Sequence, residues 1–421
     1  SLNKLPFLEL LIILILMMQK NKFLLVFVII FYFIAILGNI IDQYVSFLSW
    51  ADELSAILLF VLYINKFKKL DRYDRKILKL LFLFFIVGLI PTFLYKIQRD
   101  NIVLIKDIVL FSKFFVGITL SKFVIDDRKK NALIKAVKRP TKILIIIIFM
   151  CGILNLFIDL QMGGEIRYGL RCYQFYYTHY TFLVASTVFM LSIMLYKNSF
   201  YNKYSIMCLL ILLFTLRSKA IVFVLIYIML SIYKKKNVTL NFRSCMAFCV
   251  IGFWAVSGKI SDYISWGIYN LRTGLHIVGF VIACDYFPLG SGLGTFGSNL
   301  SFLAKSPLYS KYGLDHSQAM GDDVEGAFIS DTFWPYVYGQ FGFIGLIIFL
   351  LMLLTIFNSL NDRRDDCDYF YPAVLLLLYL VIGSFAEATF TNQTGIFVAM
   401  FINLFLYRKD VKKTNCVCGN V

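Results

Sequence analysis

Charge is scarce in this chain, and acid scarcer than base. Asp and Glu number 25 against 42 Lys and Arg, and charged residues fill only 16% of the 421 positions. With 60% hydrophobic residues and a mean hydropathy of +0.76, this composition excludes an ordinary soluble domain, where apolar residues make up roughly half. The nine cysteines lack metal-ligand spacing, which argues against a zinc or iron–sulfur framework. Cys151, Cys208, Cys245 and Cys249 fall in apolar stretches, where Cys is a small apolar residue. Cys172 and Cys284 leave a disulfide open as one alternative, and Cys416 and Cys418 lie on a short basic tail. No internal repeat is evident, which counts against a secondary transporter. Residues 5–18 are apolar but have no strongly charged leader and no small-residue cleavage site, so no cleavable signal is expected.

What is present is a series of apolar stretches near the length of about 20 residues that a helix needs to cross roughly 30 Å of hydrocarbon. Backbone groups in lipid must be satisfied within the segment, so the expected fold is an all-α polytopic membrane protein of about twelve transmembrane helices. The spans are placed near 23–41, 44–64, 78–95, 107–124, 143–159, 179–196, 204–216, 219–233, 244–258, 336–358, 370–388 and 394–407. Residues 5–18 read as an additional short, tilted or half-inserted N-terminal helix, with an extra crossing as the alternative. Three parts follow: an N-terminal transmembrane bundle over 1–258, a long extracytoplasmic loop with short helices over 259–335, between the ninth and tenth spans, and C-terminal transmembrane helices with a cytoplasmic tail over 336–421.

The net charge of +17 could suggest nucleic acid, but the basic residues gather in connectors around 66–79, 128–142, 234–243 and 408–413. With these spans, all four groups fall on one side, as the positive-inside rule requires. The long loop instead carries Asp262, Asp285, Asp315, Asp322, Asp323, Glu325 and Asp331 against Lys259, Arg272, Lys305 and Lys311, which suits the opposite face.

Several polar groups interrupt this pattern. Arg167, Arg171 and His179 lie among tyrosines in QMGGEIRYGLRCYQFYYTHYTF on the non-cytoplasmic side. They read either as a phosphate or sugar site, since guanidinium forks bind phosphate oxygens, or as an interfacial belt. Arg217 and Lys219 break about thirty apolar residues, too many for one span, and so mark a hairpin apex. Ionisable residues at such a position are functional candidates, with snorkelling to headgroups the alternative.

In the long loop, Arg272 and His276 are four apart and share a helical face, and Gly279 keeps that face narrow for a substrate. GSGLGTFG, with Gly292 and Gly294, follows no strand and opens no βαβ unit, so it is a weak nucleotide motif and reads better as a flexible, close-approach loop. Asp315, His316, Asp322, Asp323 and Glu325 could suggest a cation site but fit a solvated acidic loop. Asp331, just before the aromatic entry Phe333, Trp334 and Tyr336, reads equally as a base or as a helix N-cap.

At these residues the chain resembles the O-antigen polymerase and ligase superfamily of bacterial envelope glycosyltransferases. The resemblance is strongest from Arg272 to Leu346: an arginine-bearing helix, the PLGSGLGTFG turn, a variable loop, then SDTFWPYVYGQFGFIGL. TLRSKA and the stretch around Arg171 add to it. Ligases tend to place a histidine before the Asn of the pre-helix motif; here Ser330 and Asp331 stand in those positions, which favours a polymerase. The resemblance implies an undecaprenyl-diphosphate-linked oligosaccharide donor, transfer of its reducing-end sugar to another lipid-linked glycan, and no metal, nucleotide sugar or other cofactor. It implies membrane lipid and a chain-length regulator as partners, no nucleic acid, and a site on the outer face of a bacterial cytoplasmic membrane. Arg171, Arg217 and Arg272 would bind diphosphate, Arg167, His179, Lys219, Gly292 and Gly294 would contact substrate, and Asp331 or His276 would handle the acceptor proton. A ligase and a lipid-linked oligosaccharide flippase are the alternatives.

Overall fold

Apolar runs give helices, several of them capped by an Asp or Asn side chain: Asp71, Asp100, Asn202, Asn270 and Asn392. The computed structural model describes residues 21–44, 51–124, 127–236, 270–314, 332–364 and 366–406, with Gly267 and Ile329. It is about three quarters helical with almost no sheet. In chain order the helices are α1 (Asn21–Asp42), α2 (Ala51–Tyr63), α3 (Arg72–Tyr95), α4 (Asn101–Leu120), α5 (Asp127–Phe157), α6 (Tyr180–Leu195), α7 (Lys203–Phe214), α8 (Ser218–Lys235), α9 (Leu271–Asp285), α10 (Asn299–Leu303), α11 (Pro307–Lys311), α12 (Trp334–Asn361), α13 (Cys367–Gly383) and α14 (Gln393–Phe405). Between α5 and α6 lies a two-stranded hairpin, β1 (Ile166–Arg167) and β2 (Leu170–Arg171).

Helices lie over eleven of the twelve expected segments; the twelfth, 244–258, and the N-terminal stretch 5–18 lie outside the described residues. Among the described residues, three helices are long and apolar enough to cross a membrane: Arg72–Tyr95, Lys130–Phe157 and Trp334–Asn361. Five more, including α6, α13 and α14, are apolar but shorter.

Lys66, Lys122, Lys130 and Arg363 gather at one end of the bundle. Lys66 lies over the rings of Tyr63 and Phe123, and Lys122 pairs with Asp74 and, at 3.6 Å, with Asp71. Arg363 reaches Asp71 at 3.5 Å, and Lys130 donates to the Leu406 carbonyl. The start of α3 is fixed here by a reciprocal cap between Asp71 and Asp74, which satisfies two of its orphan donors.

Helix α12 is broken at Gly342 (φ 62°, ψ −163°), a backbone region open essentially to glycine alone. The break exposes main-chain groups that a continuous helix would use internally, and the segment after α9 takes them. The N–H groups of Ser291 and Gly292 donate to the carbonyls of Gly339 and Gln340 at 3.0 and 2.9 Å, and Ile344 N–H donates to the Pro288 carbonyl at 3.3 Å.

Side chains complete the junction. Leu293 N–H donates to Thr92 Oγ1, and Gly294 N–H donates to both Asp107 Oδ2 and Gln340 Oε1 at 2.9 Å. Gln340 Nε2 donates to the Phe296 carbonyl at 2.7 Å, and Tyr336 donates to Asp107. Residues 291–298 are buried. The expected flexible loop is therefore a packed wedge among α3, α4 and α12.

A second departure from sequence expectation lies inside the bundle. Lys113, in α4, donates to Asp52 at 2.5 Å and to Glu53 at 3.0 Å across the start of α2, with the Lys113 and Asp52 side chains fully buried. Removing one partner would leave an uncompensated charge in an apolar interior.

A β-carbon added at Gly342 would lie 2.3 Å from the Pro288 carbonyl oxygen, whereas one at Gly164 meets nothing within 4 Å. Gly342→Ala should therefore destabilise the detergent-solubilised protein by about 1–3 kcal/mol, and Gly164→Ala should be near neutral. Thermal unfolding of the two variants checks this.

Candidate functional site

The hairpin β1–β2 is anchored at its base. Cys172 N–H donates to the Glu165 carbonyl at 2.8 Å, Gln174 N–H to Met162, and Tyr173 N–H to Phe214 at the end of α7. The last bond brings the hairpin to the turn that carries Arg217, the N-cap residue of α8, which makes no side-chain cap. Tyr180, the first residue of α6, serves both sides of the junction: its hydroxyl accepts from the N–H groups of Gly164 and Glu165, and its ring lies 4.0 Å from the Arg217 guanidinium carbon.

Glu165 links two of the expected arginines. Its carboxylate meets Arg217 at 3.0 Å and Arg167 at 2.9 Å. Partial burial works against its charge, but the two guanidiniums, Arg217 foremost, outweigh that and hold the carboxyl below its usual range.

Arg171 turns elsewhere, to Asp159 at 3.4 Å, and His179 caps α6 by accepting from Thr181 N–H at 3.3 Å. Cys172 and Cys284 are thiols, not a disulfide.

Lys219 pairs with Glu387, in the turn after α13, with side chains only 7% and 18% exposed. The charges of Arg217 and Arg272 both act on Lys219. Two of the predicted cations, Arg217 and Lys219, thus meet carboxylates that the sequence did not single out, Glu165 and Glu387, with Arg272 near enough for its charge to act on Lys219.

His276, one turn beyond Arg272 on α9, has both ring nitrogens engaged: Nδ1 with Tyr338 Oη at 2.9 Å and Nε2 with Thr332 Oγ1 at 3.0 Å. Burial, and then the Arg272 charge, push its imidazole down to about 4, so it is neutral at physiological pH. Gly279 on the same helix packs against Tyr338, Phe296 and Pro335. Helix α12 therefore fills the face that had been expected to admit a substrate.

Gly292 and Gly294 lie in the buried wedge, where their N–H groups bond to Gln340 and to Asp107 and Gln340; packing accounts for both. Asp331 lies outside the described residues, as does the acidic group Asp315, His316, Asp322, Asp323 and Glu325. Among the described residues no group of three or more His, Cys, Asp or Glu could hold a metal ion.

Two small cavities, of about 30 and 20 Å³, sit at the basic end of the bundle, away from this cluster. Phe31, Tyr32, Lys130 and Phe401 line the first, and Asp71, Asp74, Lys122 and Arg363 the second.

Sequence signals for the missed residues exist. Glu387, Asp107 and Lys113 each place an ionisable group inside a predicted apolar span, which is itself a functional or structural flag. Glu165 carries no such mark; its partners come from other elements.

Chemically, the groups present are of the kind that bind anions. Arg217 and Arg272 offer planar forks and Lys219 a point charge, Tyr180 backs one guanidinium with its π face, and Glu165 and Glu387 offset part of the charge. Arg217 Nε and the Tyr379 hydroxyl are buried without hydrogen-bond partners among the described residues. Tyr379 is near enough to Glu387 to feel its charge.

No family model matches this chain, and neither does any curated protein or solved structure.

The neutral state of His276 has a pH signature. Its ordinary value is 6.5 and its folded value about 4, so between these the unfolded chain binds the proton more readily. The associated stability is full above pH 6.5 and is lost as pH falls through about 4. Replacing it by His276→Gln, which keeps hydrogen-bonding capacity but does not titrate, should flatten that part of the stability profile relative to wild type, as measured by thermal unfolding from pH 7 to 4.

Proposed function

We propose that this chain is a polytopic α-helical polymerase of the bacterial cytoplasmic membrane, with about twelve spans. It would join undecaprenyl-diphosphate-linked oligosaccharide repeat units into a surface polysaccharide on the outer face. The observation that carries this reading is the pair of cations Arg217 and Lys219, each held by a carboxylate, with Arg272 near enough for its charge to act on Lys219, drawn from the TLRSKA hairpin and from the Arg272 helix. These are two of the motifs on which the family resemblance rests. A lipid-linked diphosphate is the leaving group such a set suits: its charge rises as the glycosyl bond breaks, and preorganised cations in a partly dry site stabilise that change most.

In this scheme Arg217 and Arg272 bind the diphosphate oxygens and Lys219 adds charge from a position fixed by Glu387. The acceptor hydroxyl's proton goes to Asp331. His276 is assigned a positioning role, because both of its nitrogens are already taken by Tyr338 and Thr332. A carboxylate at Asp331 is an ordinary general base for a hydroxyl. Arg171 pairs with Asp159 and not with the cluster's carboxylates, and sugar contact is its assigned role. No cofactor is invoked.

Deleting the gene in its host and resolving lipid-linked and surface glycans by length tests the reading. Single repeat units at the surface support a polymerase. Full-length polymer stranded on its lipid carrier would mean a ligase, and units held on the cytoplasmic face a flippase. In a complemented strain, Arg217→Ala and Arg272→Ala should each cut polymer by about a hundredfold or more, the scale of losing one preorganised charge-stabilising group, with membrane abundance nearly unchanged. Long polymer from both variants would sink the site assignment.

A further inference from the structure

Four features of Glu165 set it apart from the other acids near the site. Among the described residues it bonds two arginines at once, Arg217 of the cluster at 3.0 Å and the neighbouring Arg167 at 2.9 Å. Its side chain is 48% exposed while that of Arg217 is 15% exposed, so the carboxylate lies on the open side of the guanidinium. Its main chain is held on both sides, by the Tyr180 hydroxyl and by Cys172 N–H, so the residue cannot drift away when its carboxylate is released. Arg217 is seated independently of it, stacked on the Tyr180 ring at 4.0 Å.

The second acid, Glu387, contrasts with this. It and Lys219 bury each other, and parting a buried pair is costly. Glu165 is thus the exchangeable counterion of the cluster and Glu387 the fixed one.

From this contrast we propose that Glu165 is a built-in stand-in for the ligand's phosphate. It neutralises Arg217 and Arg167 in the empty site, is displaced when a diphosphate enters, and re-pairs with both arginines as the diphosphate leaves. This rests on the diphosphate reading given above and adds to it a positioning residue with an exchange role. Because the ligand competes with Glu165 for the same guanidinium donors, the carboxylate weakens binding of the spent carrier and favours its release. Arg167 gains a role from the same geometry: freed together with Arg217, it supplies a second fork for the second phosphoryl group.

The test is a double-mutant cycle on the full-length protein in detergent, titrated with geranylgeranyl diphosphate and, separately, with inorganic diphosphate, and read by calorimetry. Glu165→Gln should tighten binding by about three- to fivefold, the scale of a partly exposed ion pair. In an Arg217→Ala background the same substitution should change affinity less than about twofold, because the competition is gone. Asp159→Asn, which removes an acid from the same loop but pairs with Arg171, controls for general electrostatics and should also stay within about twofold.

Tightening that persists without Arg217, or that Asp159→Asn reproduces, overturns the exchange, as does unchanged or weaker binding in Glu165→Gln. In those cases Arg217-dependent binding by the wild type would leave the diphosphate reading standing. If Arg217→Ala does not weaken binding of either probe, that reading falls and the exchange with it. The exchange is supported if either probe shows the effect, and the probe that does so at lower concentration identifies a lipid-borne or a free diphosphate as the source.

Discussion

The architecture depends on a main-chain exchange between two glycine-containing segments. Residues 339–344 of α12 give up part of their helical bonding at Gly342, and the irregular segment 288–292 replaces it through three backbone hydrogen bonds. Irregular backbone in a largely apolar bundle is tolerable only where its polar groups are satisfied by protein. Here Thr92, Asp107, Gln340 and Tyr309 supply what the main chain does not. The approach is close: a β-carbon at Gly290 would sit 2.4 Å from Gly342 N, so a glycine on one segment requires a glycine on the other.

That junction locates the cationic cluster. By locking the C-terminal side of α9 against α12, it fixes the angle at which Arg272 and His276 leave α9, with Tyr338 and Thr332 receiving the imidazole. Arg217 and Lys219 arrive from an unrelated direction, at the turn between α7 and α8, and Glu387 from the turn after α13. Arg217 and Lys219, largely buried, would repel each other, and the two carboxylates reduce that cost. Their unequal exposure divides the labour: one neutralises permanently, the other is within reach of an incoming anion.

Much of the fold was legible along the chain. The apolar runs marked eleven of the helices, because a helix in an apolar environment satisfies its own backbone and needs no information from elsewhere, but several boundaries lay elsewhere: α5 begins at Asp127 and not near 143, and the short α10 and α11 were not marked by any apolar run. The helix expected to end near Tyr286 ends at Asp285, and the Arg272–His276 spacing placed both on one face. The Gly-rich run was misjudged in one respect: glycines suggest mobility, but here they serve close approach, and the partner that makes the approach close is about fifty residues away in sequence. In the site, Arg217, Lys219 and Arg272 could be singled out because charge stands out against apolar surroundings. Glu165 could not, because an acid in a polar loop is unremarkable until its partners are known.

Taken alone, the sequence determined the helical class, the apolar bundle and the identity of the cations, all of which follow from local composition and periodicity. The tertiary structure alone decided that α12 breaks to receive the wedge, that His276 is neutral with both nitrogens engaged, and which carboxylate neutralises which cation. Those outcomes depend on contacts between residues tens to hundreds of positions apart, for which no local pattern carries a signal.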